Sequence, residues 1–260
     1  MSVHTLYKQL VHLDPVEHKY TDSTGKEYMS FSHLYHFLVP KFNAEYIAGH
    51  VARSEGTSKE AVLGKWQSAT DEGTRIDAAL EYFTKTGQIK DDDADLEPII
   101  KHVLSKYSTY HQTYEQLVVF SEKYRTAGSL DKLGLLSNRK DSRFHLSDFK
   151  CFEAGMSYTP KGQAWLNPPF DYLPNTKYTK INFQTSYYAW HLEQLTGRKC
   201  ERIFVDMIRP IRDNKGKVIN YANSVIPMPY MKHQVELLLE TFKDKIINTL
   251  EPAVIELEDF

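Results

Sequence analysis

The spacing of apolar residues changes period along the chain, and each change marks an element. Residues 16–30 are short apolar and polar runs around the turn sequence DSTG, which predicts a small hairpin. Ser32 is placed to cap a short helix through Leu38 that Pro40 ends, and residues 41–52 continue as a second helix. Thr57 or Ser58 caps a long helix to about Thr84. There Ile76, Leu80 and Phe83 form a core stripe, and Gly73, Asp77 and Glu81, four apart, form another. The acidic loop DDDADLE leads into a helix with Pro98 in its first turn and Ile99, Ile100, Val103, Leu104 and Tyr107 on its buried face. Three strands follow, at 115–122, 124–132 and 143–151, the last two separated by LGLLSNRKDS, whose SNRKDS part is turn-rich. Residues 152–180 show no period and read as a long loop. A helix over 182–196 has Asn182 as cap and Gly197 as stop. Strands at 201–209 and 217–226 flank the turn DNKG, and an amphipathic helix covers 231–250.

This order predicts an α/β fold. Residues 1–56 form a hairpin and helices packed on a core, and 57–260 form that core, with its long loop and a final helix. Composition narrows the class further. With 41% hydrophobic and 25% charged residues among 260, the chain has the balance of a soluble globular protein. Its net charge of −2 supplies no global basic field, so a nucleic-acid partner would need local patches. No signal-type start and no apolar run long enough to span a membrane is present, which predicts a cytoplasmic protein. Cys151 and Cys200 form no CxxC and cannot build a four-cysteine site.

The chemistry concentrates between residues 128 and 150, GSLDKLGLLSNRKDSRFHLSDFK. Side chains alternate along a strand, so Asp148 and Lys150 share a face and Phe149 takes the other. If the two strands pair antiparallel, Asp131 lies beside Asp148. Two carboxylates so placed repel unless a cation separates them, and a hard divalent ion with oxygen ligands fits, with the Phe149 carbonyl as a further oxygen. Lys150 would then hold an attacking water or developing phosphorane charge. A surface hairpin with exposed Asp–Lys pairs gives the same short pattern. Lysines 161, 177 and 180 are interleaved with Trp165, Phe170, Tyr172 and Tyr178 in the loop, which suits single-stranded nucleic acid as well as a solvated loop. The acidic tail EPAVIELEDF reads as a frayed end or as a docking segment for a partner protein.

A helix with GTRIDAALE, then GSLD, DFK and QTSYY, in that order, resembles the RecB-like, phage-type exonuclease branch of the PD-(D/E)XK nuclease superfamily. The matched region is about residues 64–209. The resemblance implies a restriction-endonuclease-like core, a central mixed β-sheet of about five strands flanked by helices. It implies hydrolysis of DNA phosphodiesters, single- or double-stranded and at ends, with one or two Mg²⁺ or Mn²⁺ ions, in phage-type recombination, repair or genome processing. The setting would be a bacterial or phage-infected cell. Asp131 and Asp148 match the metal ligands and Lys150 the catalytic lysine. Glu81 matches the helix acid, Gln184 and Tyr188 the pair that steers the strand, and Arg75 is a candidate phosphate contact. Asp77 stands where many relatives carry a metal-binding histidine. That departure leaves a second reading open, a nuclease-fold protein that binds nucleic acid or assembles without cutting. The cysteines that hold an iron–sulfur cluster in some relatives are absent from the sequence, so no cluster is expected.

Overall fold

A computed structural model describes residues 3, 10–39, 43–139, 142–152, 156–159, 164–214 and 216–251. Pro40, Lys41, Lys161 and nearly all of the acidic tail lie outside them. The fold is α/β, a mixed, open eight-stranded sheet with helices on its two faces. Three short strands begin it: β1 (Val11–Asp14), β2 (Lys19–Asp22) and β3 (Glu27–Ser30). Helices α1 (Phe31–Tyr35), α2 (Ala44–Glu55), α3 (Lys59–Thr86) and α4 (Glu97–Ser105) follow. The central strands are β4 (Gln112–Ser121), β5 (Thr126–Leu135) and β6 (Arg143–Cys151). Then come α5 (Lys177–Thr196), the long hairpin β7 (Lys199–Arg212) and β8 (Val218–Met228), and α6 (Lys232–Leu250).

The expected five strands correspond to β4–β8. The sheet has eight because the N-terminal strands join it through β3, which pairs parallel with β5 over only Met29↔Thr126 and Ser30↔Ala127. A two-residue bridge between segments nearly 100 positions apart leaves no periodic trace. Two boundaries also move. β5 continues through Leu133, Gly134 and Leu135, past its expected end at residue 132, because its partner β4 extends back to Gln112 and pairs with that length. α5 starts at Lys177, since Thr176 rather than Asn182 caps it by accepting from the Thr179 amide at 3.0 Å. Asn182 is buried inside that helix.

The larger core lies between the sheet and α1, α5 and α6, with Phe31, Leu34, Phe144, Leu146, Phe183, Tyr187 and Leu238 among its residues. The opposite face packs Ile76, Leu80, Ile100, Val103, Tyr107, Phe149 and Ile208 beneath α3 and α4. β6 divides its side chains by alternation, Phe144 and Leu146 to one core and Phe149 to the other. The first turns of α3, a helix about 42 Å long at 1.5 Å per residue, pack instead against α2 through Ala48, Ala52 and Val62.

β5 is the strand on which the sheet turns. One edge pairs with β4 from Thr126 to Leu135, with a break at Asp131 opposite Gln116. The other is shared, with β3 at residues 126–127 and antiparallel β6 at 132–135. The stretch between opens a fork. At its base Gly128 lets the Tyr188 ring lie directly on the strand: a Cβ there would stand 3.0 Å from Tyr188 Cδ1 and closer still to Cε1. Tyr188 is buried and held by Gln184, so it has little room to yield. Gly128→Ala should therefore lower stability by about 1–3 kcal/mol, as overpacking does, and reduce the midpoint of urea denaturation. An unchanged midpoint would mean that the ring is not clamped there.

Candidate metal-dependent active site

Asp131 sits at the fork. The β5–β6 ladder runs from Leu135↔Phe144 to Lys132↔Ser147 and goes no further. One step on, where Asp131 would face Asp148, the Asp131 carboxylate takes over: its Oδ2 accepts from the Phe149 amide at 2.8 Å. The pleat also shifts here. Leu130 belongs to the larger core, and Leu133 rather than residue 132 is the next to point into it. Across the strand, Gln116 has φ of 48°, in the left-handed region, and its Oε1 accepts from Ser129 Oγ at 3.2 Å. The Tyr20 hydroxyl lies against the Ser129 backbone amide.

The expected shared face of β6 is present. Lys150 Nζ lies 2.5 Å from Asp148 Oδ2 and donates to the Phe149 carbonyl at 3.2 Å. Asp148 is only 2% exposed. Its Oδ2 is closed to solvent and accepts no well-angled hydrogen bond within the described structure, so what balances it is the ammonium. Asp77 approaches from α3, solvent-open on its helix yet close enough to Asp148 and Lys150 to feel both charges. Helix and strands meet near Gly73, where a Cβ would stand 3.7 Å from Cys151 Cβ.

Three carboxylates thus face one part-buried ammonium. Unit charges 4 Å apart interact by about 4 kcal/mol at an effective dielectric of 20, and one lysine does not offset this set. Burial, then Asp148, then Asp77 hold the Asp131 carboxyl well above its usual range, against the pull of Lys150 and the Phe149 amide. Although Asp77 is open to solvent along its helix, the protein crowded around its carboxyl withholds water from it and raises it to about 6, with Lys150 opposing the shift and Asp148 adding to it. For Lys150, burial works against the charge, but Asp148, Asp131 and Asp77 outweigh it and hold the ammonium above its ordinary value. Lys150 is therefore a fixed cation in the protein alone, which favours charge stabilisation over deprotonation of water. The donors are all oxygen, three carboxylates and the Phe149 carbonyl, and their excess charge suits a hard divalent ion. Among the described residues no three His, Cys, Asp or Glu side chains already converge as a ligand group. Two of these carboxylates are turned onto Lys150 and the Phe149 amide.

The other expected residues divide. Glu81 lines the same crevice as Asp77, Asp131, Phe149 and Gln116, a space of about 20 Å³. Its carboxylate is taken by Lys85 one turn on, which makes it a wall of the crevice. Gln184 Nε2 donates to the Tyr188 hydroxyl at 2.7 Å. Tyr188 is buried at 5% exposure, within electrostatic reach of Asp148 and Asp131, so it braces β5 and is not open to a DNA strand. Arg75 does not reach the site. Two residues from Asp77 is about 200° around a helix, and its guanidinium is held by Asp93 at 3.0 Å, by Asp95 and by Glu72. Its expected role as a phosphate contact gives way to that acidic cluster.

Three further residues lie at or behind the site. Tyr20 comes from the N-terminal hairpin. Lys180, one of the loop lysines by sequence, stands on the first turn of α5 over the Tyr35 ring at 5.6 Å, its pKa lowered by burial and then by Lys150. Asp206 on β7, paired with Phe149, is fully buried. It binds Lys106 at 2.8 Å, the Tyr107 hydroxyl at 2.7 Å and the Ser147 hydroxyl at 3.0 Å, tying β6 to the smaller core from behind. The periodicity of β7 marks Asp206 as inward-facing, and that was the signal available.

No protein-family model matches the chain, and no curated protein matches it in sequence.

The raised acids carry a stability signature. A carboxyl with a higher pKa folded than unfolded binds protons better in the folded state. Its favourable contribution is complete below the unfolded value near 3.8 and is lost as pH rises through about 6 for Asp77. Asp77→Asn should therefore melt above the wild type at pH 8, with the difference shrinking as pH falls from 6 to 4. A variant less stable at pH 8 would show that Asp77 is instead a net stabilising partner of Lys150.

Proposed function

We propose that this chain is a metal-dependent DNA nuclease with a PD-(D/E)XK-type core. The observation that carries the proposal is the convergence of Asp131, Asp148 and Lys150, with Asp77, at the fork beside β5. An oxygen cluster with excess negative charge beside one fixed ammonium is what phosphodiester hydrolysis needs: anionic donors for a cation, and a cation that stays charged as the phosphorane builds negative charge. Asp131, Asp148, the Phe149 carbonyl and Asp77 would hold Mg²⁺ or Mn²⁺. When bound, such an ion polarises a phosphoryl oxygen and lowers the pKa of a coordinated water. Lys150 orients a water or phosphate oxygen and stabilises developing negative charge on it. Lys180, close enough to feel the Lys150 charge, adds positive charge on the α5 side. Tyr188, Gln184 and Gly128 keep β5 in place beneath these groups.

Action from DNA ends, as an exonuclease, is what the resemblance adds. A second reading, a nuclease-fold protein that binds or assembles without cutting, is favoured by one observation: the carboxylates do not yet converge as a ligand group. Intact Asp131, Asp148 and Lys150 weigh against it.

Cleavage of linear and circular DNA, each single- and double-stranded, with Mg²⁺ or Mn²⁺ separates the readings. Cutting confined to linear forms is expected. Lys150→Ala should lose at least 10²-fold in rate while binding DNA as tightly as wild type, since loss of one charge-stabilising group costs about 10²–10³. Wild-type cutting by Lys150→Ala would sink the assignment. Binding without cleavage under any divalent ion would select the second reading.

A further inference from the structure

The segment before α5 is expected from sequence as an irregular loop, yet its described part is built. Residues 164–166 and 173–175 form a small clamp: Trp165 bridges Pro174, the Leu166 amide donates to the Leu173 carbonyl at 3.0 Å, and the Asn175 amide to the Ala164 carbonyl at 2.9 Å. Leu166 and Phe170 are buried in the larger core, Phe170 edge-on to Phe183 at 5.2 Å. The Asn167 amide ties the clamp to the Leu38 carbonyl at 2.8 Å. A segment with so firm an anchor has no packing reason to present large rings to water. It nevertheless leaves Trp165 and Tyr172 each 53% exposed, and Tyr158, tilted against Tyr178 of α5 at 4.9 Å, 61% exposed.

Two lysines stand on the helix that carries Tyr178. Lys177 lies over Phe152 at 4.1 Å, two residues past Lys150 at the end of β6, and Lys180, over the Tyr35 ring at 5.6 Å, is close enough to feel the Lys150 charge. Both stand in the first turn of α5, where the helix dipole also favours anions. Exposed flat rings beside a short run of positive charge match the alternation of bases and phosphates in a single strand. A duplex offers phosphates but keeps its base faces stacked inside.

We propose that the face formed by Trp165, Tyr172 and the Tyr158–Tyr178 pair is a stacking platform for single-stranded DNA, with Lys177 and Lys180 leading its backbone toward Lys150. This deepens the nuclease reading and takes the direction of the strand from it, but its test reads binding alone.

Binding of a labelled twelve-nucleotide oligothymidylate to the full chain in EDTA, followed by anisotropy, makes that test. Wild type should prefer the single strand to a blunt duplex of equal length. Trp165→Ala and Tyr172→Ala should each weaken single-strand binding by about 5- to 150-fold, the worth of one stacked base, and leave duplex binding unchanged. Of the three tryptophans, Trp190 is buried in the larger core and Trp66 packs on the α2–α3 cluster, which is separate from that core. Quenching of tryptophan emission by the oligonucleotide should therefore vanish in Trp165→Phe, which keeps a ring and should keep most of the affinity. Equal single-strand affinity in wild type and both alanine variants, or a quench that survives Trp165→Phe, overturns the proposal. A protein that binds through these residues but never cuts would defeat the nuclease reading and leave this one standing.

Discussion

β5 cannot pair along the whole of one edge, and the rest of the site follows from that. β3 and β6 share the edge and run in opposite directions, so they diverge from it. Backbone groups left between them still need partners, because buried unpaired amides are costly. A side chain supplies one: the Asp131 carboxylate receives the Phe149 amide. The gap also lets a helix on one face and a lysine on the other act on the same carboxylates. A fully hydrogen-bonded sheet would have separated Asp77 from Asp148 and Lys150.

The cluster that results is poor for stability. Asp131 and Asp77 are held above their ordinary pKa values, the sign of ionised groups that the fold disfavours. The surroundings look arranged to tolerate this. Asp206 anchors β6 from behind through Lys106, Tyr107 and Ser147, and the Gln184–Tyr188 pair braces β5 from the other core. Rigid strands with supported side chains can hold an unbalanced set of charges that a loop would relax.

Much of this is legible in the sequence where the signal is local. Strand alternation places Asp148 and Lys150 together and Phe149 apart, and the antiparallel expectation puts Asp131 beside them. Asp77 and Glu81 emerge from helical spacing, and the structure then separates them: Asp77 joins the charged cluster, while Glu81 is held by Lys85 at the crevice wall. Arg75 shows the limit of proximity along the chain, since two residues from Asp77 its guanidinium serves another cluster. The eight-strand sheet, Tyr20 and Asp206 depend on contacts across large sequence separations. Lys177 and Lys180 looked like loop lysines because the Thr176 cap was hidden among other polar residues. No membrane-length apolar helix occurs among the described residues, in line with the absence of such a run in the sequence.

The central claim is that the raised carboxyls at the fork are a divalent-cation site, and it makes a demand on protons. Acids protonated above their usual range must release them when a metal binds. Calorimetric titration with Mn²⁺ at pH 6, in two buffers of different ionisation enthalpy, reads binding and proton release together. The account predicts saturable binding with net proton release in the wild type, and loss of both in Asp131→Asn. Equal binding by the two proteins, or wild-type binding with no proton release, would contradict it.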